Sequence, residues 1–255
     1  MEPGELRAKL EQVKGVHLGL DIGQKSDYSA LVVVEVGIRA TEATYIDYRD
    51  HKEYSVPEST YNVRHLARLP LGTPFRAVAM EVVNLVGGLW AWENALRKEG
   101  AILPYEPQLP WDLWMDVTGM GLPVLELVQR ALAVSPKTDR CMVHPVVFTH
   151  GDRFKRGEYD TGGNSRGDVL GKAFLVNRLQ VLFEQRTIRL PKDDPQIDAM
   201  TQELLDYEVR IDPDANDKYG AFAVGAHDDM VTALGLACIE DPGFYGVEAG
   251  PNLWP

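Results

Sequence analysis

Three short acidic motifs, Leu18-Gly-Leu-Asp21-Ile-Gly, Leu113-Trp-Met-Asp116-Val-Thr-Gly-Met-Gly121 and Ala226-His-Asp228-Asp229-Met-Val, constrain the fold of this chain more than any other feature. Each carboxylate stands at the edge of an element. The first two end apolar strands and the third opens an apolar helix, so a single fold can bring three or four carboxylates together. Oxygen-only clusters of that kind hold Mg2+ or Mn2+.

A chain of 255 residues, 45% hydrophobic, has the length and composition to bury one sizeable core. The expected layout is one domain over residues 1–240 with a Pro- and Gly-containing tail over 241–255. No apolar run approaches the roughly 20 residues that span a bilayer, and Met1–Lys14 is charged rather than signal-like. A soluble intracellular protein with no membrane partner is expected. Cys141 and Cys238 sit in apolar stretches without a CxxC partner, so they read as buried thiols. A net charge of −12 argues against a strong sequence-independent grip on nucleic acid, which depends on phosphate neutralisation. A local basic strip is nevertheless present in one segment: Arg153, Lys155, Arg156, Arg166, Lys172, Arg178, Arg186 and Arg189. It reads either as a DNA-facing surface or as a solvated loop and helix face.

Periodicity places the motifs. Val16, Leu18, Leu20 and Ile22 share one strand face, leaving Asp21 and Gly19 on the other with open space beside them. Gln24–Tyr28 reads as a tight turn and Ser29–Val36 as a central strand. Thr44–Tyr48 and Tyr61–Ala67 follow as strands either side of a polar loop holding Pro57. Thr73-Pro74 starts a helix, with Thr73 as cap, that should break or bend at Gly87-Gly88. Leu113–Val117 is a strand turning into a helix over Val124–Ala133, and Met142–Phe148 is another strand. His150–Gly167 reads as a loop, after which Asp168 caps a helix to Glu184. A short strand (Thr187–Leu190), a helix (Pro195–Glu208), a turn (Asp212–Lys218) and a last helix (Asp228–Ile239) complete the chain.

At about 100° per residue, Met230, Ala233, Leu234 and Ala237 define the buried stripe of that last helix. Asp229 falls at its margin and Asp228 nearly opposite. Asp229 is therefore the better ligand, and Asp228 either caps the first turn or reaches a metal through water. The order of hairpin with Asp21, then strand-Asp116-Thr-Gly-x-Gly-helix, then a helix led by Asp229 matches a ribonuclease H-like α/β architecture: a mixed sheet of antiparallel hairpins and parallel strands flanked by helices.

These segments, Asp21-Ile-Gly-Gln-Lys-Ser-Asp27-Tyr-Ser-Ala, the run from Tyr61 to Thr73, Met115-Asp116-Val-Thr-Gly-Met-Gly121 and Gly225-Ala-His-Asp-Asp229-Met-Val-Thr-Ala, resemble the nuclease domain of phage terminase large subunits. The likeness runs from about Gly15 to Cys238. It implies an endonuclease, using two Mg2+ or Mn2+ ions, that cuts double-stranded viral DNA during packaging in the cytoplasm of an infected cell and is absent from the mature virion. The ATPase motor, the portal and the small terminase subunit are its implied partners. Carried over by motif, Asp21, Asp116 and Asp229 are the catalytic, metal-binding acids, with Asp228 secondary. Two such ions activate water and neutralise the leaving oxygen without a side-chain nucleophile.

The chain departs from whole large subunits in lacking a motor: Gly167-Asp-Val-Leu-Gly171-Lys172-Ala is one residue short of a phosphate loop and ends in Ala. An excised domain or a separately encoded nuclease is implied. Supporting roles fall to Lys172, His227 and Asp27, each of which also has a plain structural reading as exposed lysine, packed histidine or turn aspartate. Arg153, Lys155 and Arg156 are the candidate DNA contacts. Two other classes compete. Leu20-Asp21-Ile-Gly23 also resembles the first phosphate loop of actin-like sugar kinases, but no second Asp-x-Gly-Thr segment or adenosine loop is evident. A non-catalytic module docking on DNA or portal is the other.

Overall fold

A computed structural model of the chain describes residues 12–23, 27–49, 51–100, 102, 107–119, 121–162, 166–210, 218–220 and 227–242. Along them run β1 (Gln12–Asp21), β2 (Ala30–Ile46), β3 (Glu53–Arg68), α1 (Phe75–Lys98), β4 (Trp111–Asp116), α2 (Gly121–Leu132), β5 (Met142–Thr149), β6 (Phe154–Asp160) and β7 (Arg166–Gly171). There follow α3 (Lys172–Glu184), β8 (Ile188–Arg189), α4 (Ile197–Asp206), β9 (Glu208–Arg210), β10 (Lys218–Gly220) and α5 (Asp229–Ala237). Eight strands form one sheet in the order β6-β7-β5-β4-β1-β2-β3-β8, and β9 pairs with β10 apart from it. β1, β2 and β3 are antiparallel neighbours, whereas β4, β5 and β7 run parallel to β1. This is a mixed sheet of antiparallel hairpins and parallel strands, as the motif order implies.

Strand alternation divides the core in two. Val16, Leu18 and Leu20 of β1 join Leu113 and Met115 of β4 beneath Val78, Val82 and Val86 of α1 and Val124 and Val128 of α2. The opposite face, with Val32, Val34, Leu66 and Trp114, is covered by Leu175, Leu179 and Leu182 of α3, Met200 of α4 and all of α5. Both layers exclude water, so removing this apolar surface is the main stabilising contribution. Cys141 and Cys238 are buried free thiols, as expected.

Several expectations are corrected. The polar stretch around Pro57 is not a loop but part of β3, with Pro57 opposite Ala40 just before the register shifts towards Thr44. β8 covers the outer edge of β3 only at Tyr61 and Asn62, so the missing N–H of Pro57 falls on an open edge. The helix does not break at Gly87-Gly88: α1 runs through both, carried by buried Val82 and Val86. Pro74, rather than Thr73, takes the cap position. The supposed loop 150–167 contains β6, an edge strand whose sequence shows no apolar period because backbone pairing to β7 alone defines it. Asp168 caps no helix; it lies within β7, where its Oδ1 accepts from the Gly157 N–H at 2.9 Å, and α3 begins at Lys172. Gln24–Ser26, residues 211–217 and residues 243–255 lie outside the described residues, and with them most of the two expected turns and of the tail. Among the described residues no helix is long and apolar enough to cross a membrane.

Candidate metal centre

Asp21 ends β1 and Asp116 ends β4. The parallel pairing of Leu20 with Met115 makes these two aspartates neighbours across the next rung, about 4.8 Å apart in the sheet direction. They share the face carrying His17 and Gly19, and their carboxyls are within hydrogen-bonding reach of each other. Thr118 fixes Asp116: its backbone N–H donates to Oδ1 at 2.7 Å, while its hydroxyl accepts from the Phe148 N–H at 2.8 Å. The following Gly119 has φ +72°, the left-handed conformation that lets the chain turn from β4 into α2.

Gly19 places the third acid. What looked like open space beside it is filled by the α5 backbone: a Cβ on Gly19 would lie 1.8 Å from the Ala233 carbonyl oxygen. His17 Nδ1 stands 3.0 Å from the Ala237 carbonyl oxygen. Four helical residues rise about 6.0 Å and two strand residues about 6.6 Å. The two contacts therefore put α5 antiparallel to β1 in matched steps, Ala237 over His17, Ala233 over Gly19, and Asp229 at the level of Asp21. The single buried stripe inferred for this helix is corrected, since every residue from Asp229 to Ala237 is buried. A helix wedged between a sheet and α3 hides all its sides. Asp229 is 5% exposed and Asp228 half-buried. Asp228 occupies the cap position, yet its side chain makes no capping hydrogen bond.

The electrostatics follow from that proximity. Burial, then the neighbouring Asp116, Asp229 and Asp228, hold the Asp21 carboxyl well above the usual carboxylate range. Burial also raises Asp116, against the Thr118 hydrogen bonds and Lys172. Burial pushes Asp229 up to about 6, with His227 and Arg68 opposing and Asp228 and Asp27 adding to it. Lys172, the first residue of α3, thus lies within electrostatic reach of Asp21 and Asp116; its Nζ sits 5.7 Å from the centre of the Phe148 ring. His227 reaches Asp229 Oδ2 at 3.6 Å and packs edge-on against Tyr28, and Asp27 stands exposed at the outer side.

The donor set suits a hard divalent cation. Asp229 Oδ2 is buried without a hydrogen-bond donor among the described residues, and burial holds the Asp21 and Asp116 carboxyls above the usual range. No three or more His, Cys, Asp or Glu side chains among the described residues are already gathered as a coordination shell. It is the backbone that brings the acids to one end of the sheet.

No family model matches the sequence, and no curated protein matches it significantly. Among solved structures, the large terminase nuclease of thermophilic phage G20c with bound magnesium is similar at 18% identity and TM-score 0.47, over 89% of this chain and 81% of that one. The manganese-soaked, inhibitor-bound terminase nuclease domain of human cytomegalovirus is similar at 13% identity and TM-score 0.48, over 88% and 81%. The large terminase nuclease domain of bacteriophage SPP1 with bound manganese is similar at 12% identity and TM-score 0.40, over 93% and 90%.

The basic strip does not form one surface. β6 and β8 are opposite edges of the eight-stranded sheet, so Lys155 and Arg156 on β6 and Arg189 on β8 are separated by seven strand spacings, roughly 34 Å along the sheet. Arg178 is half-buried and engaged within the fold, donating to the Cys238 carbonyl at 2.5 Å and to the Tyr61 hydroxyl at 2.7 Å. Lys155 is paired with Glu158 and Arg156 with Glu240. Arg153 is exposed beside the β7–α3 junction, where its carbonyl accepts from the Gly171 N–H at 2.8 Å.

Two residues that sequence reasoning passed over also touch the site. Glu203 reads as one more acid of an amphipathic helix, but its partners are amides 27 and 28 residues away. Arg68, at the end of β3, pairs in register with Ala30, which pairs with Asp21. Only strand register reveals that neighbourhood.

Proposed function

We propose that this chain is a divalent-metal-dependent endonuclease that hydrolyses double-stranded DNA, the nuclease part of a viral DNA-packaging terminase. The observation that carries the reading is the convergence of Asp21, Asp116 and Asp229 through strand pairing and the Gly19 contact. Those three acids, with Asp228 in support, would hold two Mg2+ or Mn2+ ions. Bound there, such ions supply Lewis-acid activation of water and neutralise charge on the scissile phosphate. The half-buried setting of Asp21 and Asp116 strengthens every charge interaction at the site. Lys172 offers the phosphate a cation from the α3 start, His227 orients Asp229, and Asp27 supports from outside. Arg153 contacts the DNA backbone, and Lys155 and Arg156 do so on exchanging their carboxylate partners for phosphate. A domain of net charge −12 holds DNA weakly. Tethering by the ATPase motor, portal and small subunit supplies the missing local concentration during packaging in the infected cell.

The test is nicking of supercoiled plasmid in Mn2+. Wild type should cut with little sequence preference, and Asp21→Ala, Asp116→Ala and Asp229→Ala should each lose at least about 100-fold, the scale of removing a transition-state charge partner. Equal cutting by all three variants contradicts the proposal. Folded protein that binds duplex but never cuts it in Mn2+ would establish a docking module instead.

A further inference from the structure

We infer that Glu203, with Arg68 behind it, is a positioning residue that sets Asp229 in the metal centre. Glu203 is 3% exposed, a carboxylate inside the core. Its Oε2 accepts from the backbone N–H groups of Met230 and Val231 at 2.8 and 3.1 Å. These are two of the first-turn amides that helix geometry leaves unpaired. The residue in the cap position, Asp228, leaves them uncapped, so α4 supplies the cap in its place. A carboxylate there is also favoured by the helix dipole.

Glu203 is itself held. Its Oε1 forms an ion pair with Arg68, whose guanidinium lies 5.1 Å from the centre of the Tyr28 ring. Tyr28 packs edge-on against His227 at 4.8 Å, and His227 Nδ1 reaches Asp229 Oδ2 at 3.6 Å. The contacts thus run from α4 through β3 and the β1–β2 connection back to the acid at the head of α5. The far end of α5 is fixed by Gly19 and His17. Without Glu203 the first-turn amides of Met230 and Val231 lose their acceptor inside the core, and a first turn that frays or rotates carries Asp229 away from Asp21. Supporting groups of this kind alter metal affinity about 10–100-fold. The inference rests on the metal-dependent reading above.

The experiment compares wild type with Glu203→Ala, Glu203→Gln and Asp229→Asn, measuring Mn2+ affinity by calorimetry and the Mn2+ dependence of plasmid nicking. Circular dichroism and melting points show which variants are folded at the assay temperature. Glu203→Ala should need about 10–100-fold more Mn2+ for half-maximal cutting, while its rate at saturating Mn2+ recovers to near wild type. Glu203→Gln, which keeps an acceptor for the amides and loses the ion pair, should fall between. Asp229→Asn should stay impaired at every Mn2+ concentration. If Glu203→Ala is not folded, Glu203→Gln decides alone. A folded variant with lower melting point and rate but wild-type Mn2+ dependence overturns the inference, because a merely structural role predicts that result. Wild type that binds no Mn2+ overturns the metal reading instead, a distinguishable failure.

Discussion

Asp229 carries a conflict between folding and function in one side chain. Its buried Oδ2 has no hydrogen-bond donor among the described residues, and burial pushes its carboxyl up to about 6. A group whose proton is held more tightly folded than unfolded contributes stability that is complete below the unfolded value of 3.8 and is lost as pH rises through about 6. That loss is already in force at neutral pH, and Asp21 and Asp116 shift in the same direction. His17 acts oppositely: burial lowers it to about 4, so its effect is a loss of stability as pH falls from about 6.5 towards 4. A cation bound by the ionised acids offsets the first effect and leaves the second untouched. The rise in melting temperature on adding Mn2+ should therefore be largest above pH 7 and shrink below pH 6, measured by thermal unfolding from pH 5 to 8. A rise independent of pH would mean that the ion sits elsewhere.

At the level of elements, the site depends on how closely α5 lies on β1. Gly19→Ala forces a methyl group against the Ala233 carbonyl, and should cost about 3 kcal/mol or more and reduce the Mn2+-induced rise in melting temperature. Gly88→Ala is the contrasting case: it lies within α1, and a Cβ there meets nothing within 4 Å. It should stabilise by roughly 0.5–1 kcal/mol and leave the Mn2+ response intact. Thermal unfolding of both variants, with and without Mn2+, checks the pair; a harmless Gly19→Ala would contradict the packing described. The elements built on apolar runs, β4, β5 and α5, are legible in the sequence to within two residues. β6 and the Pro57 stretch of β3 are not, because pairing with neighbouring backbone creates those strands and no side-chain alternation marks them. Asp168 misleads for a related reason, since an aspartate before an apolar run looks like a cap whether it ends a loop or sits in a strand.

For the whole molecule, three acids separated by 95 and 113 positions in sequence are brought to one end of an eight-stranded sheet. Asp21 and Asp116 were readable as strand ends, and Asp229 as a helix start. The capping role of Glu203, its Arg68 partner and the splitting of the basic strip across both sheet edges were not, since each depends on strand order rather than on spacing. The most direct test of the convergence is anomalous scattering from a crystal soaked in Mn2+. The account predicts a peak between the carboxyls of Asp21 and Asp116, with Asp229 oxygen within about 2.5 Å of an ion. A folded protein with no peak there, or with Mn2+ bound only away from these three side chains, would contradict it.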